Sequence, residues 1–156
     1  MKQRVNLIEK GRNMMKPLMG VKNYLDQSSV DNDLLELVSF RVSQINGCAL
    51  CLDMHAKQLL AKGESVQRLL LLDAWRETSF FSEKERAALD WAEALTTLEG
   101  SLVPDAIYEE VAAHFSDTEL IDLTLAIGFI NTANRLNIAF GTPVGADKDA
   151  RLAEMQ

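Results

Sequence analysis

The sequence predicts an all-α protein of one domain, and three observations lead there. Apolar residues recur at helical spacing almost throughout, and no run alternates apolar and polar as a half-buried strand does. The three prolines and most of the eight glycines fall where one periodic segment gives way to the next, and no low-complexity linker divides the chain. With 156 residues, 47% of them hydrophobic, the chain has one domain's length and enough apolar side chains for a core without metal or disulfide staples. Residues 1–156 are therefore read as a single domain.

The elements follow in order. A loosely patterned first helix lies within residues 6–26. The second begins near Ser29, with Asp31 and Asp33 favoured in its first turn by the helix dipole, and ends at Asn46-Gly47. A third runs from about Cys48 to Lys62, where Gly63 stops it, and a fourth, capped by Ser65, covers Val66 to about Asp73. The fifth opens with a capping box, Ser82 to Glu85, and reaches about Leu98. Its Ala88, Trp91, Ala92 and Leu95 form an apolar stripe, and Glu85, Arg86, Asp90 and Glu93 suit a wet face.

Pro104 fits the first turn of a helix reaching about Phe115. A second capping box, Ser116 to Glu119, opens a long helix to about Ala139 that is apolar on nearly every side up to Ile130. A helix without a polar face is buried, and in so small a protein an oligomer interface is where it would be covered. Leu35–Ser39 and Ile121–Leu125 are faintly alike, as if two helical hairpins were related by a pseudo-dyad.

Charge narrows the function. A formal net charge of −7, with no basic cluster to interrupt it, opposes binding to nucleic acid or to an anionic membrane surface. Met1 to Lys16 contain no continuous apolar run of a secretory signal, and no stretch approaches the ~20 apolar residues that span a bilayer. A cytoplasmic location is expected, where static disulfides are uncommon. Cys48 and Cys51 then point to catalysis or metal binding.

The informative segment is Glu36 to His55, ELVSFRVSQINGCALCLDMH. Cysteines three apart share a face in a helical first turn, with Cα atoms ~5 Å apart, within the span of a disulfide. A helix N-terminus favours thiolate, the form that attacks a peroxide oxygen. His55 follows Cys51 by one turn on the same face, placed to take the thiol proton. Glu36 precedes Cys48 by twelve residues, ~18 Å along a straight helix, and would be out of reach if the helix continued. A reversal at Gly47 instead brings it beside residues 55–59, where it would orient His55 or take its proton. Its apolar run, Leu34-Leu35-Glu36-Leu37-Val38, suits such proton chemistry.

Spacing alone leaves alternatives open. Cys48, Cys51 and His55 offer three zinc ligands with Glu36 as a fourth, although the usual second CxxC or paired histidine is absent. A disulfide that senses oxidants or regulates assembly, with little turnover, is another reading. His114, near a helix end, reads as a dipole partner rather than a catalyst. Trp75, Phe80 and Phe81 read as core or interface aromatics before they read as the lining of a substrate entrance.

At these residues the sequence resembles the AhpD-like alkylhydroperoxidases of the carboxymuconolactone decarboxylase superfamily. The resemblance rests on Glu36, Cys48, Cys51 and His55 at their spacing, on Asn46-Gly47 before the first cysteine, and on Trp75-Arg76-Glu77, Phe81–Ala87 and Asn131–Arg135. It covers most of residues 30–140. It implies an all-helical bundle, a homo-oligomer (trimer or hexamer), and peroxide reduction by a dithiol that a thioredoxin- or lipoyl-type carrier re-reduces. No cofactor or metal is implied. Carried over by position, Cys51 is the peroxidatic cysteine, Cys48 the resolving one, and His55 and Glu36 the proton relay. In thioredoxin-type sites the first cysteine is the more acidic; here the imidazole one turn from Cys51 outweighs a dipole effect of ~0.3–1 kcal/mol. One departure is Leu50, which stands where better-known peroxidases of the family carry a second relay histidine.

Overall fold

The structure, a computed structural model, describes residues 2–145, and all regular structure among them is helical. The helices are α1 (Leu7–Lys10), α2 (Arg12–Leu25), α3 (Asn32–Asn46), α4 (Ala49–Ala61), α5 (Val66–Leu71), α6 (Glu83–Thr97), α7 (Asp105–His114) and α8 (Asp117–Phe140). Short 3-10 turns occupy Leu72–Glu77 and Glu99–Ser101.

Helix α3 is the hub, packed against α4, α6 and α8. Its Val38 and Val42 join Ala88 and Ala92 of α6, Val111 of α7 and Leu123 and Ile127 of α8 in the larger apolar cluster. Leu37 and Phe40 meet Leu59 of α4, Leu69 of α5, Leu72, Trp75, Phe81 and Leu89 in a second. Burying each larger aliphatic or aromatic side chain contributes roughly 1.5–3 kcal/mol. Helix α3 is thus held by both clusters through Leu34 to Val42.

Both capping boxes form: Ser82 with Glu85, and Ser116 with Glu119, each exchange bonds in both directions. Several boundaries differ from the sequence reading. The first helical segment is broken at Gly11, whose N–H bonds Leu7 O and where an added Cβ would lie 2.5 Å from that oxygen. Helix α3 starts later than Ser29, because the Asp31 carboxylate caps it by accepting from the N–H groups of Asp33 and Leu34. The fourth segment leaves α-geometry at Leu72 and continues as a 3-10 turn that brings Trp75 into the core.

The face of α6 expected to be wet is largely covered by that turn. Glu93 accepts from Arg41 Nε at 2.7 Å and from Trp75 Nε1 at 2.8 Å, and is also paired with Arg76. Arg41, only 8% exposed, reaches Gln44 and Asp73 as well. Burial pushes the Glu93 carboxyl pKa up, but hydrogen bonds from Arg76, Trp75 and Arg41 outweigh it and hold the pKa below the ordinary value. Helix α8 is covered only in part by its own chain: Ile121 is 68% and Leu125 40% exposed.

Candidate active site

Two elements meet at one glycine. Gly47 has φ 67°, the left-handed conformation that closes a helix without a Cβ penalty. Its N–H bonds Gln44 O while that of Cys48 bonds Ser43 O, a Schellman ending. Cys48 is at once the residue that completes this ending and the N-cap of α4, its Sγ accepting the N–H of Cys51 at 3.4 Å. No residue is left over for a loop, so α3 and α4 double back as a tight hairpin.

The dithiol therefore sits at the start of α4. Cys48 and Cys51 lie at disulfide distance, with Cα atoms 5.3 Å apart, and each is 1% exposed. The hairpin brings Glu36 of α3 alongside α4, and Glu36 Oε2 lies 2.8 Å from His55 Nδ1. His55 is 5% exposed, and its buried Nε2 has no hydrogen-bond partner among the described residues. With Nδ1 engaged by the carboxylate, Nε2 is the nitrogen left to exchange a proton with a thiol or a substrate oxygen.

The four residues singled out in the sequence thus form two contacts on one hairpin, Glu36 with His55 and Cys48 with Cys51, with His55 one turn after Cys51 on α4. Leu50, between the cysteines, is buried and adds no second imidazole. His114 pairs instead with Glu110 of its own helix at 3.3 Å, and Trp75 and Phe81 are core residues. Among the described residues no three His, Cys, Asp or Glu side chains form a metal-ligating group.

Asn46 and Asn131–Arg135 enter the sequence reading only through the resemblance, and Asn137 not at all; the structure gives their amides a part. Asn46 Nδ2 donates to Asn131 Oδ1 and Asn134 Oδ1, both at 2.9 Å, and the fully buried Asn134 donates to Ser43 Oγ at 3.1 Å. These bonds tie the last turn of α3 to α8. Further along, Asn137 Nδ2 lies 3.5 Å from Cys51 Sγ. The available signal was three asparagines spaced three apart in the last turns of one helix, where asparagine is a weak helix former and needs a reason to be there.

A helical bundle that carries a CxxC pair at a helix start, beside a glutamate–histidine pair from the preceding helix, is an AhpD-like framework, and the comparisons agree. Residues 12–94 match the carboxymuconolactone decarboxylase family. The chain belongs to that family. It is 42% identical over 141 residues to the uncharacterized protein YdfG of Bacillus subtilis, covering 90% of this chain and 96% of that one. The crystal structure of ATU0492 from Agrobacterium tumefaciens, of unknown function and given as a candidate antioxidant defence protein AhpD, superposes with a TM-score of 0.89. That match has 38% identity and covers 94% of this chain and all of the other. The alkyl hydroperoxide reductase AhpD of Rhodopseudomonas palustris is 49% identical over a shorter stretch of 43 residues, 28% of this chain and 24% of that one.

Proposed function

We propose that this protein is a thiol-dependent hydroperoxide reductase acting as one AhpD-like domain in the cytoplasm, assembled as a homo-oligomer, a trimer or hexamer. The observation that carries the reading is the Glu36–His55 contact of 2.8 Å beside a cysteine pair at disulfide distance. A thiol pair needs a base and a fixed geometry to turn over, and this hairpin supplies both. Membership in the carboxymuconolactone decarboxylase family and the shared stretch with AhpD support it.

In the proposed cycle, Cys51 gives its proton to His55, whose imidazolium the Glu36 carboxylate stabilises. The thiolate attacks the terminal oxygen of a hydroperoxide. The S–O bond forms, the O–O bond breaks, and the alkoxide takes a proton and leaves as the alcohol. Cys51 is then a sulfenic acid. Cys48 attacks it; the S–S bond forms, the S–O bond breaks, and water leaves. A reduced dithiol of the thioredoxin or lipoyl type returns two electrons and two protons by exchange through a mixed disulfide.

Peroxide consumption at steady state with a dithiol reductant tests this. Cys51→Ser should abolish turnover, whereas Cys48→Ser should leave a sulfenate that a dimedone-type reagent traps. Equal residual activity in the two variants would remove the assignment of roles. The competing reading is a redox sensor, in which the same cysteine pair closes to its disulfide once and is not turned over. Consumption that stops after one equivalent of peroxide, with reductant present, would establish the sensor instead.

A further inference from the structure

The two sulfurs of the site have different donors. Cys48 Sγ is held by the helix start, accepting the Cys51 N–H at 3.4 Å. Cys51 Sγ, one turn in, faces the Asn137 side-chain amide at 3.5 Å from the last turn of α8. That last turn presents its side chain and not its carbonyl to the sulfur. Gly141, at φ 64°, ends α8 so that the Asn137 carbonyl accepts from Thr142 N at 3.0 Å. The register of α8 against the hairpin is in turn fixed one turn earlier by Asn134 and Asn131. An amide held at this position makes a weak contact with a disulfide sulfur. With a thiolate the same contact is charge-assisted and about twice as strong as a neutral one.

We propose that Asn137 is the anion-stabilising donor of the site, holding the Cys51 thiolate through its side-chain N–H and so selecting Cys51 over Cys48 as the first nucleophile. This deepens the thiol-peroxidase reading, which needs that thiolate, but its test uses no peroxide. The titratable side chains of the site are Cys48 and His55 on α4 and Glu36 on α3, the last acting through His55. Helix α8 adds an uncharged donor, so its effect is separable from theirs.

The experiment titrates reduced, full-length protein by thiolate absorbance near 240 nm, in a Cys48→Ser background to isolate Cys51 and a Cys51→Ser background to isolate Cys48. Asn137→Ala should raise the Cys51 midpoint by roughly one pKa unit, a tenfold loss of thiolate at a given pH below it. Asn137→Asp keeps the shape but replaces the donor with a like charge, and should raise it further. Cys48 should move much less in both. In the unmutated protein, the Asn137 side-chain amide resonance should shift with the Cys51 midpoint, a readout independent of whether a variant folds. An unmoved Cys51 midpoint in folded variants, an amide resonance indifferent to that titration, or a Cys48 shift as large as that of Cys51 would overturn the proposal. Failure of peroxide turnover with the titrations as expected would instead reject only the peroxidase reading.

Discussion

Glu36 stands in the second turn of α3, and its carboxylate is useful only because the chain turns back at Gly47. Its 2.8 Å contact with His55 Nδ1 favours the tautomer that carries its proton there and leaves Nε2, which has no hydrogen-bond partner among the described residues, as the basic nitrogen. Glu36→Gln keeps the size and a hydrogen bond to the ring but removes the charge that stabilises an imidazolium. General acid–base groups contribute typically 10²–10⁴-fold, so kcat/KM for peroxide should fall about a hundredfold with little change in melting temperature. An undiminished kcat/KM would show that the carboxylate takes no part in proton transfer. The spacing of Glu36, Cys48, Cys51 and His55 was readable because all four lie on one hairpin, where distance along the chain translates directly into position. Asn137 was not, because it is 86 residues from Cys51 and its contact exists only after α8 has packed.

At the scale of elements, the joint between α3 and α4 depends on one backbone conformation. Nothing lies within 4 Å of a Cβ built on Gly47, so a substitution there meets only the strain of φ 67°. Gly47→Ala should cost roughly 1–2 kcal/mol in urea unfolding, and Gly47→Asn less, since asparagine tolerates the left-handed region. If alanine were as stable as glycine, the turn would be relaxing to another geometry, and the Glu36–His55 contact should be lost with it. The pairing of Glu93 with Arg41, Trp75 and Arg76 joins three elements in the same way. Its folded pKa lies below the ordinary value, so its stabilisation is complete above the unfolded pKa of ~4.3 and is lost as pH falls through the folded one. Glu93→Gln should therefore lower stability by about 2 kcal/mol at pH 7, and the gap to the wild type should narrow as pH falls through the folded pKa. A gap independent of pH would mean that packing, not charge, is what Glu93 contributes.

These elements also divide what the sequence disclosed from what it withheld. The capping boxes and the glycine endings are local devices, written in residues a few positions apart, and they formed where they were read. The wet face assigned to α6 was misread because its period is a local property, whereas the guanidinium groups that cover Glu93 arrive from α3 and from a 3-10 turn that has no periodic signature.

For the molecule as a whole, α8 poses the remaining physical problem. Its inner side carries Leu123, Ile127 and Asn134 into the core, but Ile121, Leu125 and Ile138 remain 68%, 40% and 43% exposed. Ile121 and Leu125 lie one turn apart on one face, and exposed apolar side chains on a helix cost solubility unless something covers them. The expected cover is another copy of the chain, in keeping with the trimer or hexamer proposed above. Light scattering on the purified protein at micromolar concentration should then give a mass that is a multiple of 17.4 kDa. Ile121→Lys with Leu125→Lys should shift that mass toward the monomer while the far-UV circular dichroism stays helical, because neither side chain belongs to an apolar cluster of its own chain. A monomeric wild type would refute the interface outright. An oligomer that the double variant leaves intact would put the contact elsewhere on the surface, and the face of Ile121 and Leu125 would need a different partner.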